Sequence, residues 1–148
     1  MRLLVCTHNS GATELAAELA AQAAQAQPQP DYRVLTDAAA MKDATHVLLY
    51  LNDRTFGDGG ATAQLVRDAM DAGVTMVLVQ ELDPGLGACA FRRFFDVTPN
   101  ELLKQRKLFD TLAVPLYPGE AHRAVSVLYV ARALGAPPPP RRLWASAP

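Results

Sequence analysis

Short apolar runs alternate along the chain with segments whose apolar residues recur every three or four positions. Leu3-Leu4-Val5-Cys6 is predicted as a first strand, halted by Asn9-Ser10-Gly11. Residues 13–27 read as a helix, with Leu15, Leu19 and Ala23 along one face. Their Ala, Gln and Glu are good helix formers, and Pro28 and Pro30 end the segment. Tyr32-Arg33-Val34-Leu35 is a short second strand, followed by a brief helical turn at 38–42. His46-Val47-Leu48-Leu49-Tyr50-Leu51 is apolar almost throughout, which suits a strand covered on both faces.

After a polar loop, residues 61–72 form a helix with Leu65, Ala69 and Met70 inward and Gly73 as its stop signal. Residues 74–79 are the fourth strand, and 81–87 a Pro/Gly loop carrying Glu81 and Asp83. Thr98-Pro99-Asn100-Glu101 has the pattern of a helix start. Threonine can cap, proline suits the first helical position, and glutamate falls at the capping-box position. Residues 112–116 are the fifth strand, whose Pro115 cannot donate to a ladder and so marks an edge. Residues 120–134 are the last helix, with Val125, Leu128, Val130 and Leu134 apolar and Gly135 following.

Strands separated by helices imply right-handed crossovers and a parallel sheet with helices on both faces. The expectation is a flavodoxin-like three-layer α/β domain over residues 1–136, with a five-stranded sheet and a Pro-rich tail or linker at 137–148. Ligands in such folds bind at the carboxyl ends of the strands, so the loops after strands one, three and four are where chemistry belongs.

Composition narrows the classes. The 148 residues are 50% hydrophobic and 20% charged, and 14 Lys+Arg against 15 Asp+Glu give a net charge of −1. No basic excess points to nucleic acid. The two cysteines do not make a disulfide-stapled scaffold. The apolar start is too short for a signal peptide and no run approaches a membrane span, so a cytoplasmic setting is expected.

Cys6-Thr7-His8-Asn9-Ser10-Gly11-Ala12-Thr13 lies between a strand and a helix, as does the phosphate loop of low-molecular-weight phosphatases. Those enzymes place an arginine where this chain has Ala12, so oxyanion clamping is missing and a buried Cys6 with Asn9 or Ser10 capping the helix is expected. His8, His46 and His122 lack metal-ligand spacing, and no metal is expected. A receiver-domain reading fails because Thr7-His8 stands where that family has an acidic pair. In Phe91-Arg92-Arg93-Phe94-Phe95, the phenylalanines are expected to anchor this irregular segment to the core while the arginines face water.

The stretch 44–51, then 65–72 and Gly73-Val74-Thr75-Met76-Val77-Leu78-Val79, resembles the centre of a Toll/interleukin receptor (TIR) domain. Glu81, Cys89-Ala90-Phe91, Phe94-Phe95, Thr98-Pro99 and Leu112-Ala113-Val114-Pro115-Leu116 resemble a TIR-like variety found in large proteins of algae and other protists. So does the ending Arg123-Ala124-Val125-Ser126 with Ala133-Leu134-Gly135. The resemblance implies an assembly and signalling module that works through contacts with other TIR-like domains or with itself, with neither nucleic acid nor membrane as partner.

Some TIR domains cleave NAD with a glutamate on the helix after the third strand. That position is Gln64 here, which has no charge to stabilise an oxocarbenium-like transition state. The resemblance therefore implies assembly without turnover. An NAD-cleaving hydrolase using Glu81 or Asp53 as the substitute acid is the alternative, and a non-catalytic nucleotide- or phosphate-binding domain is the third reading. In either ligand-binding case His8, Asn9, Ser10, Thr55 and Gln64 would supply polar contacts and Phe56 a stacking surface.

Overall fold

A computed structural model describes residues 1–135; the expected tail at 137–148 lies outside them. Five strands, β1 (Arg2–Val5), β2 (Arg33–Leu35), β3 (His46–Leu51), β4 (Thr75–Glu81) and β5 (Val114–Leu116), form one sheet in the order β2-β1-β3-β4-β5. Every neighbouring pair is parallel. The chain thus has a flavodoxin-like fold, and the topological switch lies between β1 and β3.

Alternation along the strands sorts the core. Leu3, Val5, Leu48, Tyr50, Val77 and Val79 face one side, where α1 (Ala12–Gln25) and α4 (Glu120–Ala133) pack on them with Leu15, Leu19, Val127 and Val130. Leu4, Val47, Leu49, Leu51 and Leu78 face the other side, covered by α2 (Ala61–Asp71) through Ala63, Leu65, Val66 and Ala69. Both faces of the central strands are therefore dry, which is why β3 is an unbroken apolar run.

Three expectations need correction. First, β4 continues through Gln80 to Glu81, so Glu81 is a strand residue and not a loop acid. Second, the Phe/Arg segment is helical, forming α3 (Arg92–Val97). Phe91, Phe94, Phe95 and Phe109 meet edge-on or tilted at centroid distances of 5.3–6.4 Å. Phe94 anchors the segment in the core, whereas Phe95 is half-exposed and both arginines are exposed.

Third, the expected helix at Thr98 reduces to one π-helical turn, Glu101–Gln105. Thr98 is buried with an unpartnered hydroxyl, and the Glu101 carboxylate takes hydrogen bonds from Arg67 and Arg106, both at 2.9 Å. The capping box fails because tertiary partners hold the group that would have closed it. Pro115 does lie on an edge strand, opposite Gln80.

Candidate functional site

At the carboxyl edge of the sheet, the loops after β1 and β3 are laced together. Past the end of β1, the Asn9 amide takes over its ladder, donating to the Tyr50 carbonyl and accepting from the Tyr50 amide, each at 2.8 Å. The Thr55 hydroxyl donates to the same carbonyl at 2.8 Å and accepts from the Asn52 amide at 2.9 Å. Asn52 in turn donates to the Ser10 carbonyl at 2.9 Å. Asn9 and Thr55, assigned from sequence to a ligand, thus spend their hydrogen bonds on the backbone, and both are buried.

Neither Asn9 nor Ser10 caps α1. Its cap is Gly11 at φ +93°, and no side chain bonds there. A glycine is needed for a second reason: a Cβ at this position would stand 2.4 Å from the Tyr50 ring. The amides of Asn9 and Ala12 point back to the carbonyls of Cys6 and Asn9, both at 3.0 Å. The loop is a closed turn at those positions rather than an open ring of donors for an oxyanion. Cys6 is buried, with the Thr62 hydroxyl 3.6 Å from its sulfur.

A cleft of about 340 Å³ opens at the carboxyl edge of the sheet, bounded by the ends of β1 and β2 and by α2. Its floor includes Val5, Cys6 and Leu65; His8, Asp37, Gln64 and Asp68 also line it. Gln64 is exposed and donates to the Asp68 carboxylate at 2.9 Å, one helical turn on. The Asp37 carboxylate accepts from the Ala39 amide at 2.9 Å. No lysine or arginine lines this cleft.

Of the residues expected at a ligand, the structure brings His8 and Gln64 to this cleft. Phe56 does not reach it: in a left-handed conformation, φ +65°, it packs against the cluster of Leu49, Leu51 and Phe94 on the α2 side of the sheet. Asp53 is also elsewhere. It is exposed, its amide donates to the Gly87 carbonyl at 2.8 Å, and its own carbonyl accepts from Arg93 at 3.2 Å.

Glu81 occupies a different environment on the α1–α4 side. Its side chain is fully buried. One oxygen accepts from the Asp83 amide at 3.0 Å; the other accepts from the Tyr50 hydroxyl and, at 3.1 Å, from Arg123. Arg123, on α4, also makes a two-pronged bond to Glu18 of α1, at 3.1 and 2.9 Å. Burial first, then the hydrogen bond to Glu81 and its charge, push the Tyr50 hydroxyl well above the ordinary phenol range. The hydrogen bonds to Glu18, then those to Glu81, raise Arg123 further against its own desolvation. The carboxylate holds three donors and is closed off from solvent, which suits a structural tie rather than a group open to a ligand.

Sequence reasoning missed the ties to Tyr50, Glu18 and Arg123 and the cleft acid Asp37, and it set Asp68 aside as lying one turn beyond Gln64. No local signal marks the first three, which lie 31 to 105 residues apart in sequence as bonded pairs. Among the described residues no three His, Cys, Asp or Glu side chains gather as a metal site needs, and no helix is long and apolar enough to cross a membrane. Compared with known families, curated proteins and solved structures, the chain matches no family model, no curated protein and no solved structure.

Proposed function

We propose that the chain is a TIR-like assembly module that acts through contacts with like domains and turns over no substrate. The observation that carries this reading is the fate of the acids. Where a cleaving TIR domain would hold a glutamate stands an uncharged Gln64, and Glu81 is sealed in an ion-paired network with every oxygen engaged. Asp53 is exposed outside the cleft's lining. An oxocarbenium-like transition state needs a carboxylate aimed at the reacting carbon, and neither substitute acid stands in the cleft to provide it. The stretch that carries the resemblance folds as β3, loop, α2 and β4 in that order, in support of the same reading.

One observation favours a second reading. Asp68 does line the cleft beside Gln64, and with Asp37 it is one of the two carboxylates on which an NAD-cleaving reaction could run. Following nicotinamide release from NAD by the purified chain at high protein concentration separates the two. No release is expected. Release that disappears in Asp68→Asn would overturn the assembly reading and establish the hydrolase.

A further inference from the structure

The cleft at the carboxyl edge is built in two parts, a dry floor and charged walls. Its floor is Val5, Cys6 and Leu65, each of them buried. The walls carry Asp37, past the end of β2, and Asp68, on α2, so two carboxylates face one cavity from separate elements. Each spends one oxygen locally, Asp37 on the Ala39 amide and Asp68 on the Gln64 side chain, both at 2.9 Å. The second oxygen of each takes no hydrogen bond among the described residues, and neither residue joins an ion pair there.

The sign of the charge decides what such a cavity can hold. No lysine or arginine lines it. The backbone donors around it are spent as well: the amides of Asn9 and Ala12 turn back to carbonyls of their own loop. Those of Gly60 and Thr62, at the start of α2, go to the Asp58 carboxylate at 3.3 and 3.0 Å. Asp58 itself stands behind the floor, bonded to the Thr62 hydroxyl that lies 3.6 Å from the Cys6 sulfur, and adds a third negative charge. A phosphate or carboxylate entering here meets like charge and finds no donor to offset its desolvation. A cation with an apolar body is favoured twice, since its ammonium meets the unpaired oxygens and its methylenes cover the floor. About 340 Å³ is at the lower end of ligand-site volumes, so the ligand is small.

We propose that this cleft binds a small aliphatic amine, held through its ammonium by Asp37 and Asp68 with its methylenes on Val5 and Leu65, and that it excludes phosphate-bearing ligands. The site is independent of the assembly reading and stands or falls without it.

Amide NMR spectra of the intact, isotope-labelled chain at pH 7 and constant ionic strength test it, with 1,4-diaminobutane as the probe. Saturable shifts are expected at 6–8, 37–38 and 64–68, the segments that line the cleft. The uncharged 1,4-butanediol should bind roughly tenfold less tightly or worse, and inorganic phosphate should leave these amides unmoved. Asp37→Asn and Asp68→Asn should each weaken the amine about fivefold, the scale of an exposed ion pair, in chains whose remaining spectrum is unchanged. Either variant alone carries the test if the other fails to fold. Shifts spread over all the surface acids and indifferent to both variants would reveal mere ionic association and overturn the site. So would a cleft silent to the amine, or one that answers to phosphate instead.

Discussion

The two sides of the carboxyl edge use the same residue types in opposite ways. On the α2 side, Gln64 and Asp68 sit at a cleft in contact with water, bonded only to each other. On the α1–α4 side, Glu81 is buried and holds three donors, while Arg123 ties it to Glu18. A carboxylate is available to a ligand only when solvent or the ligand completes its hydrogen bonds. By that criterion the acid expected to do chemistry is structural, and one passed over as a mere turn away lies at the cleft.

The buried side should break hardest. Glu81→Ala leaves the Tyr50 hydroxyl and the Asp83 amide without their acceptor and takes one of two anions from Arg123. Removing one partner of a buried ion pair costs about 3–5 kcal/mol. Urea denaturation at pH 7 should show a loss of that size. A loss below about 1 kcal/mol, the scale of an exposed pair, would mean the network is solvated and the contrast between the two sides is lost.

The next effect belongs to the turn under Tyr50. Gly11→Ala combines a left-handed backbone, about 1–2 kcal/mol, with a methyl 2.4 Å from the tyrosine ring. Overpacking adds roughly 1–3 kcal/mol. Gly59 has a similar φ, +76°, but nothing within 4 Å of the added Cβ, so Gly59→Ala should show the backbone part alone. Thermal melts of the two variants measure the difference, and equal losses would show that the ring moves aside freely.

How much of this was legible in the sequence follows from where each group finds its partners. The β3 strand could be read to the residue, because a dry run between two helical layers is written in its own side chains. Pro115 marked an edge for an equally local reason, the missing amide. Glu81 hid the end of β4, since its burial depends on Tyr50 and Arg123, far away in sequence. Thr98 to Glu101 misled for the converse reason: its local pattern was sound, but Arg67 and Arg106 captured the glutamate. Gln64 does line the cleft, whereas Asn9 and Thr55 have side chains suited to a ligand and to a loop alike, and the loop took them.

A smaller effect lies where α2 begins. Gly60 provides no capping side chain, and Asp58 reaches the first turn instead, accepting from the Thr62 amide at 3.0 Å and from the Thr62 hydroxyl. Partial burial pushes this carboxyl up, but the hydrogen bonds from the Thr62 hydroxyl and amide and the Gly60 amide outweigh it and hold it below the usual carboxylate range. A depressed folded value means that the stabilisation is complete above the unfolded pKa of about 3.9 and is lost as pH falls through the folded value. Asp58→Ala should cost about 1 kcal/mol near neutrality and flatten this part of the acid limb. An unchanged acid limb would show that the cap is not formed in solution.

The smallest effect sharpens the comparison from the open side. Gln64→Glu changes one atom for another on an exposed turn and converts the amide–carboxylate bond with Asp68 into a like-charge pair four residues apart. Such pairs destabilise a helix by only about 0.2–0.5 kcal/mol, and salt screens them. The loss should therefore shrink between low and high ionic strength, and should vanish as pH falls below the carboxylate range and the repulsion is neutralised. Glu81 differs in kind, because its partners are shielded from water and the cost of removing them will persist at high salt. A Gln64→Glu loss of several kcal/mol that ignored salt would mean that this turn of α2 is as enclosed as the network around Arg123, and the two sides of the edge would no longer differ.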